Sequence, residues 1–188
     1  ESEICLIVET TGSSGAKKSV ALTAAALLAS TRASLDFLEA RPGQTWALLL
    51  PIHHIAGINV LIRSLDLGTT PVDLRNATEF PVTDFSAVVP TQIYRALNGD
   101  EKLLAHLKAA KFVLVGGARI QEDLLAQAID AGISIVRTYG MSETSGGCVY
   151  NGEILEGVQV EVRGGSIFIR GSILALGLEL NNGWYETK

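Results

Sequence analysis

The chain has 188 residues, 47% of them hydrophobic and 19% charged, with a formal net charge of -5 and a pI near 5.2. That length buries a substantial core in one compact domain, and the composition excludes an intrinsically disordered chain. The acidic balance lacks the electrostatic footprint of a nucleic-acid binder or of an anionic-membrane binder, so an anionic ligand needs backbone amides and a few placed cations.

Cys5 and Cys148 are far apart, with no CxxC spacing and no His/Cys cluster. Neither a disulfide framework nor a zinc site is expected; a reducing, cytoplasmic setting and two small buried hydrophobes are. The opening ESEICLIVET has no basic region and no apolar run of signal-peptide length, and no stretch reaches the roughly 20 apolar residues that span a bilayer. It reads as a strand already in progress, as at a processed or trimmed boundary.

Ile4 to Val8 is a continuous apolar run that suits a strand buried on both faces, running into small residues from Thr10 to Gly15. A helix is predicted from Thr23, its N-cap, with Ala24, Leu27, Leu28, Leu35 and Leu38 on one face, ended by Arg41-Pro42-Gly43. Strands follow at Trp46 to Leu50, Thr70 to Leu74, Ala87 to Val89, Phe112 to Val115 and Ile133 to Thr138. Helices alternate with them at Gly57 to Leu67, Thr91 to Leu97, Lys102 to Ala109 and Gln121 to Ala131. Such a series predicts an α/β fold with largely parallel sheets covered by helices. After Tyr150 short alternating stretches, Val158 to Val162 and Ser166 to Arg170, predict a small antiparallel β element at the C-terminal end. Residues 1–150 thus read as an α/β core and 151–188 as a β-rich end.

Four segments carry chemistry. Thr10-Thr11-Gly12-Ser13-Ser14-Gly15-Ala16-Lys17-Lys18 combines glycines, small hydroxyls and a terminal cation after a strand, which suits a polyphosphate. Taken alone it equally suits a solvated turn. It is not the common nucleotide loop, which needs Gly where Lys17 stands, nor a Gly-x-Ser-x-Gly nucleophile elbow. Thr138-Tyr139-Gly140-Met141-Ser142-Glu143-Thr144 offers an aromatic face for a base, a hydroxyl for a phosphate and a carboxylate for magnesium, or else an ordinary strand exit. Val115-Gly116-Gly117-Ala118 lets a flat ligand approach the backbone, although such turns commonly carry glycine. Leu50-Pro51-Ile52-His53-His54-Ile55-Ala56-Gly57 places an imidazole where it can line a site without transferring a proton; a structural histidine is the alternative.

In order and spacing these segments resemble the adenylate-forming superfamily of acyl-CoA synthetases, peptide-synthetase adenylation domains and luciferases. There a Ser/Thr/Gly loop ending in Pro-Lys-Gly binds ATP phosphates; here Lys17 replaces the proline and Ser19 the final glycine. The family's Tyr-Gly-x-Thr/Ser-Glu motif, its Gly-Gly-Gly/Ala turn and its Leu-Pro-x-Phe-His-x-x-Gly segment match the other three, with His53 in place of the aromatic. Gly165 to Gly171 and the ending Asn181-Asn182-Gly183-Trp184-Tyr185-Glu186-Thr187-Lys188 look like elements near the end of the family's large N-terminal domain, with Lys188 where the second glycine falls. By that comparison the chain stops before the ribose-binding aspartate and lacks the C-terminal lid domain with its catalytic lysine, so very weak turnover is expected of it.

Within the superfamily the text is most similar to the compact o-succinylbenzoate-CoA ligases of menaquinone biosynthesis, on the His54 segment with Arg63 nine residues on, Val89-Pro90-Thr91-Gln92, and Gly140 through Tyr150. The resemblance implies ATP, Mg2+ and CoA as cofactor and co-substrates, a small-molecule carboxylate as partner, no nucleic acid or membrane insertion, and room for a homodimer. It implies catalytic roles for Lys18, Ser142 and Glu143, with Glu143 on the metal. Nucleotide contacts fall to Thr10, Thr11, Gly12, Ser13, Ser14, Gly15, Lys18, Gly116, Gly117, Ala118, Thr138, Tyr139, Gly140, Met141 and Ser142. His54, Arg63 and Gly117 face the acid; Arg63 is either the cation for a second carboxylate or a surface arginine. A fatty-acyl or aryl-CoA ligase and a non-catalytic nucleotide-binding module remain the alternatives, while a Rossmann oxidoreductase is disfavoured because no early Gly-x-Gly-x-x-Gly follows a strand.

Overall fold

The computed structural model describes residues 3–11, 17–180 and 183–187. β1 (Ile4–Thr11) pairs antiparallel with β2 (Lys17–Thr23), Thr11 standing opposite Lys17. A second strand, rather than the expected helix, therefore follows residues 12–16. Its buried middle, Val20, Ala21 and Leu22, is too short for a helical stripe but fits a strand packed on both sides. β1 itself is only half-covered, since Val8 is 2% exposed and Ile7 59%. Cys5 is likewise exposed, so of the two cysteines only Cys148 is a buried hydrophobe, and burial pushes its thiol pKa up.

α1 (Ala24–Phe37) begins as expected: the Thr23 hydroxyl accepts a hydrogen bond from the Ala26 amide at 3.1 Å. Its buried face differs from the leucine stripe. Ala24 and Leu28 are exposed, while Ser30, Thr31 and Ser34 are buried beside Leu27 and Leu35. The helix stops at Phe37, before the Arg41-Pro42-Gly43 turn, with Glu39 in the left-handed region at φ 48°.

The α/β alternation then runs as the pattern predicts: β3 (Trp46–Leu48), α2 (Ile55–Asp66), β4 (Val72–Asp73), β5 (Phe85–Val88), α3 (Pro90–Leu97), α4 (Glu101–Ala109), β6 (Phe112–Val115), α5 (Glu122–Asp130) and β7 (Ile135–Met141). After a 3-10 turn (Ser142–Thr144) come β8 (Gly146–Tyr150) and β9 (Glu153–Ile154). These strands form one sheet in the order β4-β3-β5-β6-β7-β8-β9, parallel as far as β7 and antiparallel at β8 and β9. Alternation along β3 explains the layering. Trp46 and Leu48 join the cluster with α1 and α2 residues Ala33, Leu35 and Val60, whereas Ala47 and Leu49 join Ile93, Leu103 and Ala128 of α3, α4 and α5.

β10 (Val158–Arg163) and β11 (Ser166–Gly171) form the expected antiparallel hairpin. The chain then returns to its start: β12 (Gly177–Leu180) pairs with β2, and β13 (Gly183–Glu186) with β12, giving a second antiparallel sheet β1-β2-β12-β13. Among the described residues no helix is long and apolar enough to cross a membrane.

Candidate active site

Three of the four motif segments, those of His54, Gly116 and Thr138, leave the same edge of the central sheet, because β3, β6 and β7 are parallel and each segment follows or ends its strand, while the Thr10 to Lys18 segment joins β1 and β2 of the other sheet. Ligands of open α/β sheets bind at this carboxyl edge. After β3, a Cβ on Gly57 would lie 2.2 Å from the Pro51 carbonyl oxygen, so only glycine lets α2 start this close to the Leu50-Pro51 backbone. His54 is the exposed N-cap of α2, its ring 4.2 Å from that of His53. After β5, the Gln92 amide ties two exits together: its oxygen accepts from the Val89 N–H at 3.0 Å and its nitrogen donates to the Leu49 carbonyl at 3.1 Å.

After β6, a Cβ on Gly116 would stand 2.3 Å from Thr138 Oγ1, and Gly117 has φ +78°. The Thr138 hydroxyl donates to the Val115 carbonyl at 3.3 Å, so the Gly116-Gly117-Ala118 turn lies directly beside the Thr138-Tyr139 segment. The turn from β7 into β8 is tightly built. A Cβ on Gly140 would come within 1.9 Å of the Gly146 carbonyl oxygen. Thr144 Oγ1 accepts from the Met141 N–H at 3.0 Å and donates to the Gly146 carbonyl at 2.7 Å, and fully buried Ser145 donates to the Ile173 carbonyl at 2.7 Å. This turn leaves the Tyr139 ring 43% exposed and Met141 exposed beside it, with Ser142 buried and Glu143 half-buried.

Lys18 and Glu143, 125 positions apart, form an ion pair. β2 supplies the ammonium, and the carboxylate is presented by the turn whose Glu143 carbonyl accepts from the Ala175 amide at 2.8 Å. Their side chains are 25% and 16% exposed, so both remain reachable from solvent. Among the described residues no group of three or more His, Cys, Asp or Glu could hold a metal by itself. A single carboxylate fits magnesium that arrives on phosphates and keeps waters, not a metal caged by protein. Thr10 places a buried hydroxyl with no hydrogen-bond partner among the described residues one residue before Thr11, which ends β1. Gly12, Ser13, Ser14 and Gly15 lie outside the described residues.

Arg63 is not a surface arginine: it is 4% exposed on α2, its guanidinium carbon 5.0 Å from the Trp46 ring centre and its Nη2 3.0 Å from the Tyr150 hydroxyl. One turn earlier, Asn59 donates to the Ser145 carbonyl at 2.9 Å and so pins α2 to the turn bearing Glu143. The sequence reading missed Asn59; the available signal was a polar residue four before Arg63, inside the otherwise apolar run Ile55 to Ile62.

Fold and sequence together define an AMP-binding enzyme domain. The chain matches the AMP-binding enzyme family over residues 1–176 and belongs to it. It is 40% identical, over 209 aligned positions, to a probable 2-succinylbenzoate–CoA ligase of Mycobacterium tuberculosis, covering 100% of this chain and 54% of that protein. Among solved structures, E. coli MenE with a bound analogue of OSB-AMS matches at a TM-score of 0.82 and 25% identity, over 99% of this chain and 45% of that one. Bacillus subtilis MenE in complex with ATP and magnesium ion shares the fold at a TM-score of 0.79 and 20% identity, over 99% and 47%. The chain thus spans about half the length of the proteins it matches.

Proposed function

We propose that this chain forms the nucleotide- and acid-binding part of an acyl-CoA ligase that activates 2-succinylbenzoate as its acyl-adenylate and passes the acyl group to CoA, in menaquinone biosynthesis. The observation that carries the reading is the meeting of Lys18 with Glu143 on the turn that bares Tyr139, at the carboxyl edge of the parallel strands. Family membership and the names of its relatives support it.

Tyr139 stacks on the adenine, and Gly116, Gly117, Ala118, Thr138, Gly140 and Met141 line the path of the nucleotide. The ammonium of Lys18 joins the hydroxyls and amides of Thr10 to Gly15 on the phosphates, with Ser142 at the α-phosphate. Glu143 would hold magnesium, which would supply charge neutralisation on the phosphates. His54, Gly117 and Arg63 face the acid.

In the first half-reaction a carboxylate oxygen attacks the α-phosphorus, the bond to the bridging oxygen breaks, and pyrophosphate leaves with the electron pair. In the second, the CoA sulfur, its proton given to solvent, attacks the acyl carbon and AMP leaves with the electrons of the broken C–O bond. The chain contributes alignment and preorganised charge; no covalent enzyme intermediate is needed.

Calorimetric titration with a sulfonyl analogue of o-succinylbenzoyl-adenylate, beside a fatty-acyl analogue, tests this. Preferential binding of the first is expected. Equal binding would remove the substrate assignment, and binding of neither would remove the adenylate site.

A further inference from the structure

Among the described residues Arg63 is a buried cation without a counter-ion: no carboxylate pairs with it, its Nε has no hydrogen-bond partner, and Ser64 Oγ and Thr31 Oγ1 are likewise buried and unpartnered. A guanidinium withdrawn from water is strongly unfavourable unless its remaining donors meet an anion. Among the described residues the Arg63 guanidinium makes one hydrogen bond, to the Tyr150 hydroxyl. Arginine can only donate, so the Tyr150 oxygen accepts at 3.0 Å, and Ser34 Oγ, 2.9 Å away, is placed to take the tyrosine proton.

Tyr150 has no freedom to turn away. It is 1% exposed, Phe37 packs edge-on at 5.2 Å between ring centres, and its ring occupies space that a side chain at residue 147 would take, since a Cβ on Gly147 would lie 2.5 Å from Tyr150 Cε1. The Trp46 ring, 5.0 Å from the Arg63 guanidinium carbon, adds a cation–π contact. Arg63 is thus aimed by a chain from α1 through β8, with Tyr150 as its pivot.

We propose that Tyr150, backed by Ser34, is a positioning residue that sets specificity for a substrate with a second, free carboxylate, by holding the Arg63 guanidinium oriented for it. The proposal rests on the reading of Arg63 as the cation for that group. A merely structural Tyr150 would affect all ligands alike, so the readout is a ratio.

Two probes are titrated calorimetrically into the 188-residue chain: the sulfonyl analogue of o-succinylbenzoyl-adenylate and its counterpart lacking the free carboxylate. Wild type is expected to prefer the first, and Arg63→Ala to lose that preference. Tyr150→Phe should lower the preference about tenfold, the scale of a hydrogen bond to a charged group, while the carboxylate-free probe binds as before. Ser34→Ala, which removes the hydroxyl that hydrogen-bonds Tyr150, should lower it in the same direction by about threefold and covers the case in which Tyr150→Phe fails to fold. If Arg63→Ala loses the preference while folded Tyr150→Phe and Ser34→Ala keep it, the positioning role is overturned and the Arg63 reading stands. If Arg63→Ala keeps the preference, both fall.

Discussion

Lys18 and Glu143 each serve as the other's counter-charge, which separates what their substitutions do to stability from what they do to binding. A part-exposed pair of this kind contributes about 1 kcal/mol or less to folding. Lys18→Met is therefore expected to leave the thermal midpoint nearly unchanged and to weaken ATP binding by about tenfold or more, as loss of a charge-assisted contact to phosphate does. Glu143→Gln should instead bind nucleotide with a reduced dependence on magnesium, read by titrations with and without the ion; an unchanged dependence would remove Glu143 from the metal. Gly140→Ala has the opposite signature. Its Cβ would sit 1.9 Å from the Gly146 carbonyl oxygen, so the β7–β8 turn must shift, and a destabilisation above about 2 kcal/mol is expected in urea unfolding. Both charged residues could be singled out in the sequence from short local motifs, whereas their meeting as an ion pair, 125 positions apart, could not. The environment of Arg63 was not legible either: its tyrosine partner lies 87 positions away, and no local spacing reports such a contact.

At the scale of elements, the parallel strands and their helices were legible because each is a short apolar run or a 3.6-period stripe bounded by turn residues. β2 was not. Its burial changes from exposed Lys17 to fully covered Val20, Ala21 and Leu22 within a few residues, so it shows neither clean alternation nor a helical period. The buried face of α1 was misread for a related reason: Ser30 and Ser34 look solvent-facing until Ser145 and Tyr150 are brought against them. α4 carries a further buried polar residue with a measurable consequence. The His106 ring has Nδ1 2.8 Å from the Pro81 carbonyl and Nε2 2.9 Å from Ser86 Oγ. A carbonyl only accepts, so Nδ1 holds the proton and Nε2 accepts from the serine, which is the neutral imidazole. Burial lowers the pKa from its ordinary value of 6.5, outweighing the contrary effect of the Pro81 hydrogen bond. The unfolded chain then takes up a proton below pH 6.5 that the folded chain refuses, so this contribution to stability is present above that pH and declines below it. Urea midpoints should fall between about pH 7.5 and pH 5, and His106→Asn should flatten that slope while lowering stability at the higher pH. An identical slope in the variant would assign the acid sensitivity to other groups.

At the scale of the whole molecule, the site belongs to neither sheet alone. Lys18 comes from the four-stranded antiparallel sheet and Glu143 from the turn that continues the parallel strands of the seven-stranded one. What joins them is the returning end of the chain: Ala175 donates to the Glu143 carbonyl, Ile173 accepts from Ser145, and β12 runs along β2 with Leu180 opposite Lys18. Ala175 and Leu178 also pack with Val8, Val20 and Leu22, alongside Ile55, Ile58 and Ile62 of α2, so the same segment closes a small core under the lysine. A chain ending at Gly171 should keep the seven-stranded sheet, lose the register that aims Lys18 at Glu143, and bind ATP more than about tenfold more weakly. Thermal melting separates this from general unfolding. In the full chain, nucleotide at about 100 times its Kd should raise stability by about 2.7 kcal/mol, whereas in the shortened chain the increment should shrink even where the sheet still melts cooperatively. An undiminished increment would show that the hairpin strands hold Lys18 in place without the returning strands.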